Sequence, residues 1–372
     1  MTDLPSQVDV VVIGGGPAGL ASAISARMHG LSVLLLDSRL PSVDKPCGEG
    51  LMPDGVAALQ RLGVDPNMEA AFPFRGIRFV DGECVAQAEF PNGVGIGMRR
   101  TELHTLLRRR AEQTGVITAW GCPVTALSGA FVHTAHQEIA GRWFVGADGI
   151  QSRVRRWAGL ETFRRDTRRF GFRTHYRIAP WSEYVEIYWG SGFQIYVTPV
   201  AKDEVCVAVI SKDPQLRLPE AVAGVPSLSK RLADVAESSA PGGSLTATRK
   251  LRAIHRGNTV LVGDASGSVD AITGEGMCQA FRQAADLGEA LAKADLSAYA
   301  ARRRRNFRRP LLMSDLLLLL TTRPRFRKRV IAALAAKPEI FRILLAAHVG
   351  AASPAPLAAK AVSLGFELLR TS

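Results

Sequence analysis

The hydrophobic positions fall into three textures along the chain. One is short and unbroken: Val8-Asp9-Val10-Val11-Val12-Ile13, closed by Gly14. A β-branched run of this length, ended by glycine, predicts a buried parallel strand. Helical spacing follows from about Pro17 to His29, with Pro17 suited to a first turn and Gly30 to a stop. A second strand is predicted over Ser32–Leu36, ending at Asp37. The second texture is alternation, which marks strands at Gly76–Val80, Cys84–Phe90, Tyr184–Trp189, Phe193–Val197 and Val205–Ile210, broken by Gly190 and Gly192. Between 212 and 250 the chain is polar and mixed, with a helix predicted around Pro219–Val235. The third texture is helical. It covers Met277–Leu291 and then, after about Ser297, a basic amphipathic stretch, Ile331–Leu345 and Pro356–Leu369. There is no internal repeat.

These textures predict an α/β chain (α+β overall). A discontinuous nucleotide-binding domain spans 1–71, 96–165 and 250–300. An antiparallel-sheet domain is inserted at 72–95 and 166–249, and a basic helical region covers 301–372. With 372 residues, 47% of them hydrophobic, the chain can build a large core. The five cysteines (Cys47, Cys84, Cys122, Cys206, Cys278) are odd in number and lack a C-x-x-C pair. That argues against a disulfide framework and a zinc site, and the seven histidines form no metal-binding motif, so no metal is expected. No signal-peptide pattern is evident, and the run Leu311–Leu320 is far below the ~18 residues that span a bilayer. The expectation is a cytoplasmic protein, with a membrane-touching face as one alternative.

Charge narrows that face. The net charge of +13 is concentrated at Arg302–Arg305, Arg308, Arg309, Arg323, Arg325, Arg327, Lys328 and Arg329, opposed there only by Asp315. The same segment carries Leu311, Leu312 and Leu316–Leu320. A solvated basic helix packed on the core explains this composition, and so does contact with an anionic membrane. With no aromatics beyond Phe307 and Phe326 and no nucleic-acid motif, nucleic acid is not an expected partner.

The candidate chemistry begins at Gly14-Gly15-Gly16-Pro17-Ala18-Gly19. Gly14 permits the tight turn, Gly16 close approach of backbone to a pyrophosphate, and Gly19 close helix–strand packing. Free N–H groups at the helix start face the phosphate, and Asp37 stands where an acid accepts bonds from a ribose. Three further segments bear on the nucleotide: Phe144–Ser152 with Gly146-Ala147-Asp148-Gly149, Leu261–Ala265 with Gly263-Asp264-Ala265, and Arg100-Thr101-Glu102-Leu103. Together they resemble flavoprotein monooxygenases of the p-hydroxybenzoate hydroxylase type, in order and rough spacing, from Val8 to about Leu291. The resemblance implies a Rossmann-like FAD-binding domain roofed by the inserted sheet. It implies that Arg100, Asp148 and Asp264 contact FAD and that NAD(P)H is the transient electron donor. Gly274 and Gly276, bracketing Glu275 ahead of a helix, would present N–H groups to the flavin; for Glu275 itself a plain helix cap is the alternative.

Two features sit apart from the hydroxylases. Gly267 stands where they often carry histidine, and Gly274-Glu275-Gly276 replaces their Gly-Gln-Gly. Cys47-Gly48-Glu49-Gly50-Leu51 resembles the Cys-Gly-Gly-Gly-Leu segment of geranylgeranyl reductases, with Glu49 in place of a glycine. Gly48 is counted with the cofactor site, and Cys47 or Glu49 is the candidate proton donor, a plain buried thiol being the alternative for Cys47. Trp189, Phe193, Tyr196 and Pro199, on an aromatic-rich strand ending in proline, are expected to line the substrate cavity, or to be ordinary core. No Trp-x-Trp-x-Ile-Pro halogenase segment is present. The leading expectation is an NAD(P)H-dependent monooxygenase that hydroxylates a hydrophobic aromatic, enol or polyketide-like molecule, with oxygen activated at flavin C4a. The alternatives are a geranylgeranyl reductase-like enzyme acting on isoprenoid alkenes, and a non-catalytic flavin-binding redox sensor.

Overall fold

The computed structural model describes residues 4–42, 44–66 and 70–351. The chain opens with β1 (Gln7–Ile13), α1 (Pro17–Met28) and β2 (Val33–Asp37), followed by the two-residue β3 (Gly50–Leu51) and α2 (Pro53–Arg61). Four short strands come next: β4 (Ala71–Phe74), β5 (Gly76–Asp81), β6 (Cys84–Glu89) and β7 (Gly95–Met98). Helix α3 (Arg100–Gln113) leads to β8 (Ile117–Trp120), β9 (Val124–Ser128), β10 (Phe131–Thr134), β11 (Glu138–Gly146) and α4 (Arg153–Trp157). Long strands β12 (Phe163–Tyr176), β13 (Tyr184–Trp189), β14 (Phe193–Ala201) and β15 (Glu204–Ser211) precede α5 (Leu218–Ala223) and α6 (Pro226–Leu232). Then come β16 (Gly242–Leu251), β17 (His255–Arg256), β18 (Thr259–Leu261) and helices α7 (Gly276–Ala292), α8 (Leu296–Asn306), α9 (Arg308–Thr322), α10 (Pro324–Ala336) and α11 (Pro338–His348).

The first sheet runs β17-β18-β11-β1-β2-β8, with β10 and β9 continuing from β11. Pairs β1–β11, β1–β2, β2–β8 and β11–β18 are parallel. Its centre is covered on both faces, which is why β1 and β2 are almost wholly apolar: Val10–Val12 and Leu34–Leu36 are fully buried. Helix α1 packs on α7 so closely that a Cβ at Gly288 would lie 2.2 Å from Ser25 Oγ.

The second sheet runs β16-β12-β15-β14-β13-β5-β6. It is antiparallel except for the parallel pair β13–β5, where the inserted strand from before α3 joins the later ones. A small sheet, β3-β7-β4, packs against β14 of the second. Strand β16 does not announce itself in the sequence because only one partner, β12, pairs with it; at this edge most side chains of its first half are partly exposed, so polar residues are tolerated. The helix expected near Pro219–Val235 is two, α5 and α6, with Pro226 opening the second. The helix expected over Ile331–Leu345 is likewise split, because Lys337 precedes Pro338 and leaves helical geometry (φ −132°, ψ 77°). The segment Pro356–Leu369 lies outside the described residues.

Candidate active site

One cavity of about 900 Å³ runs from the β1–α1 turn, beneath the second sheet, to helices α9–α11. At its nucleotide end the glycines act by close contact or by leaving space. Gly14 has φ +112°, and a Cβ there would lie 2.5 Å from the Ala147 carbonyl oxygen; at Gly19 it would lie 1.8 Å from that of Gly14. Gly16, by contrast, has open space where its Cβ would point, and it lines the cavity. Ala18 also lines it and packs against Gly263, where a Cβ would come within 2.6 Å of its methyl. Asp37 is buried, with one carboxylate oxygen accepting from Gly15 N–H (2.6 Å) and the other from Arg39 N–H (2.8 Å). Sequence reasoning missed His104. Its Nε2 meets the Gly15 carbonyl at 2.9 Å and so donates, while its buried Nδ1 has no partner beside the cavity. Burial lowers its pKa and favours the neutral ring.

Three turns from distant parts of the chain complete this end. The Asp148 carboxylate caps α4, accepting from Ser152 Oγ (2.5 Å), Arg153 N–H (2.6 Å) and Val154 N–H (3.1 Å). Asp264 lies on a 3-10 turn, Gly263–Ser266, and pairs with Lys45 at 3.2 Å. That turn is braced from behind by Gln283, which accepts from Gly263 N–H at 2.9 Å, and by buried Arg303, which donates to the Ser266 carbonyl at 2.5 Å. Burial pushes the Arg303 pKa down to about 10, still charged at neutral pH. Gly274 (φ +68°) and Gly276 have open space ahead of them and line the cavity at the start of α7. Glu275 is not a side-chain cap. It is buried and turned toward Arg282 (3.5 Å) and His348 of α11 (4.0 Å). Burial raises its pKa, and the His348 and Arg282 charges oppose that rise. At Gly267 (φ +102°) a Cβ would lie 2.5 Å from the Arg249 carbonyl, so no histidine fits there.

The loop Lys45–Gly50 lines the cavity, from Lys45 at Asp264 to Gly50 beside Phe74 of the apolar lobe. Cys47 lines it, in the field of the Arg100 guanidinium and the Glu49 carboxylate. Burial raises the thiol pKa, with the Arg100 charge opposing and Glu49 reinforcing, so the sulfur keeps its proton. Gly48 again faces open space. Glu49 lines the cavity too. Its side chain is fully buried, one oxygen accepting from Arg100 N–H (3.0 Å) and the other meeting His175 Nε2 at 2.6 Å. Arg173 donates to His175 Nδ1 at 3.0 Å and to Asp44 at 2.6 Å. A guanidinium only donates, so Nδ1 accepts and the ring proton sits on Nε2, pointing at Glu49. Both carboxylate oxygens of Glu49 thus help to hold the loop, and Glu49 itself keeps a left-handed φ of +56°. Glu49, His175 and Cys206 are also the one group among the described residues whose ligand atoms, within 4.8 Å of one another, are close enough to share a metal ion. Glu49 and His175 already satisfy each other.

Of the four residues expected on the substrate side, Tyr196 lines the cavity, its hydroxyl donating to the Ile272 carbonyl at 2.8 Å. The other three lie elsewhere. Side chains alternate along a strand, and Phe193 shares its face of β14 with Ile195 and Val197 in a second core on the far side of the sheet. Pro199 has the same parity and is absent from the cavity wall. Trp189 follows Val185 and Ile187, which do line the cavity, but at the strand end it is covered by Phe79, edge-on at 5.7 Å. The apolar lobe is instead made by Phe74, Phe79 and Ile187 facing Leu320, Leu334 and Phe341. Helices α9–α11 therefore wall the cavity, and their leucines gave no sign of this in the sequence.

A family model described as FAD binding domain matches residues 7–302. The chain is 28% identical over 364 residues to menaquinone reductase of Mycobacterium tuberculosis, covering 86% of this chain and 85% of that protein. It is 30% identical over 338 residues to digeranylgeranylglycerophospholipid reductase of Methanocella arvoryzae, covering 81% and 82%. A solved flavoprotein/dehydrogenase from Cytophaga hutchinsonii superposes with a TM-score of 0.79 at 18% identity, covering 92% and 93%. The open faces at Gly16, Gly48, Gly274 and Gly276 and the unpartnered His104 Nδ1 fit FAD in the cavity.

Proposed function

The chain belongs to the FAD binding domain family of FAD-dependent oxidoreductases, and we propose that within it this protein saturates a carbon–carbon double bond of an isoprenoid substrate. The carrying observation is Cys47, a thiol that keeps its proton where the nucleotide half of the cavity meets the apolar lobe. FAD, when bound and reduced by NAD(P)H, supplies the hydride for one alkene carbon. Cys47 holds the proton that the other carbon needs. The Glu49–His175 bond fixes the loop that carries the sulfur. The lobe aligns an apolar chain and keeps water away. The two reductases match over more than four-fifths of their own length, which also supports this reading over the hydroxylase one. The absence of space for a histidine at Gly267 points the same way.

The test is anaerobic incubation of the FAD-loaded protein with NADPH and either menaquinone or a geranylgeranylated glycerolipid, with products read by mass. A gain of two hydrogens on the isoprenoid chain, kept after any quinol is reoxidised in air, is expected, and Cys47→Ser is expected to slow it roughly 10²-fold or more with the flavin spectrum unchanged. A product that gains oxygen, and forms only in air, would return the assignment to hydroxylation.

A further inference from the structure

Helix α9 is apolar on two faces. Met313, Leu317 and Leu320 line the cavity, whereas Leu312 and Leu319 point outward, 72% and 42% exposed. Leu316 does both: it lines the cavity and is 38% exposed. On a helical wheel Arg308, Leu312, Leu316, Leu319 and Arg323 fall within one arc of about 80°. The outer stripe is therefore three leucines with an exposed arginine at each end, and neither Arg308 nor Arg323 makes an ion pair among the described residues. Exposed Asp315, beside the stripe, is neutralised by Arg165 at 2.6 Å. At the N-terminal end of α9 lies a second, smaller cavity of about 350 Å³ whose wall carries Arg164, Lys250, Arg252, His255, Arg304 and Arg308 and no acidic side chain. Beyond the stripe, Arg325, Lys328 and Arg329 of α10 are exposed as well. No described helix is long and apolar enough to cross a membrane.

A leucine stripe bounded by arginines, next to a basic cleft, matches an anionic bilayer surface on both counts. Apolar side chains enter the acyl boundary, and guanidinium groups meet phosphate. We propose that α9 lies in the plane of an anionic membrane, with the basic cleft receiving lipid phosphate headgroups. An apolar substrate then enters from the bilayer past Leu316. The entry route rests on the isoprenoid reading of the substrate; the docking itself does not.

The experiment is co-sedimentation of the FAD-loaded full chain with phosphatidylcholine vesicles, with and without phosphatidylglycerol, read by flavin absorbance. Binding is expected only to the anionic vesicles. Leu312→Gln/Leu319→Gln and, separately, Arg252→Gln/Arg304→Gln are each expected to weaken it roughly tenfold, with flavin spectrum, melting temperature and turnover of detergent-dispersed substrate unchanged. Equal binding by both double variants would overturn the proposal. So would equal binding to neutral vesicles, or a dimer that the leucine changes dissociate. Sedimentation needs no turnover, so an inactive chain that still binds vesicles sinks only the reductase assignment. An active chain that ignores them sinks only the docking.

Discussion

Glu49 shows how far one residue can be read alone. Its departure from the reductase glycine was visible in the sequence, and so was its nearness to Cys47. What it does depends on His175, 126 residues away, and on the Arg173 bond that fixes the ring proton. Replacing His175 by Ala leaves a buried carboxylate without its donor, a change that costs about 3–5 kcal/mol. His175→Gln keeps an N–H and is expected to lose much less. Melting curves together with FAD retention check this; equal losses would mean that the ring packs rather than donates. Cys47 gives a pH prediction with a definite sign. Its thiol pKa is raised above the ordinary 9.0, so the proton-holding form is present at lower pH and is lost only as pH rises through that raised value. The reduction rate should stay flat across neutrality and fall on an alkaline limb above pH 9, a limb absent in Cys47→Ser. A decline beginning at neutral pH would assign the proton to another group.

Elements were legible wherever the local pattern alone decides them. The β1–α1–β2 unit, the start of α7 and the strands of the inserted sheet follow from periodicity and glycine placement. The errors come from context. Strand β16 is polar because it is an edge, Pro338 divides a run that composition reads as continuous, and strand parity places Phe193 and Pro199 off the cavity. The turns at the flavin site are the sharper case, since glycines there are fixed by contacts from far away. Gly267→His would restore the residue common in hydroxylases. It would require a side chain at φ +102° with its Cβ 2.5 Å from the Arg249 carbonyl. The strain is on the order of 1–3 kcal/mol, before the clash is relieved. A melting temperature lower by roughly 5 °C or more and weakened FAD retention are expected. A variant as stable as the parent would show that the turn between Ser266 and β16 can move aside.

At the scale of the whole molecule the two halves of the cavity differ in kind. The cofactor half is written in short motifs, because tight turns demand glycine and phosphate contacts demand a helix start, so it can be read from sequence order. The apolar half arises only when β5, β13 and β14 meet α9–α11, and no local pattern encodes that meeting. Under the proposed function its lining limits the size of the substrate without constraining the chemistry. Leu334 of α10, 2% exposed, lines this half. Leu334→Trp adds bulk to the lobe and leaves the nucleotide turns untouched, so FAD absorbance should be unchanged. A chain long enough to fill the lobe should then meet overpacking of about 1–3 kcal/mol, which corresponds to a roughly 5- to 150-fold lower kcat/KM. A short isoprenoid analogue that stops before Leu334 should react as before. The measurement is the ratio of kcat/KM for long and short substrates in parent and variant. If both substrates lose activity together, the apolar chain does not lie between the second sheet and the C-terminal helices, and the lobe there serves the packing of α10 alone.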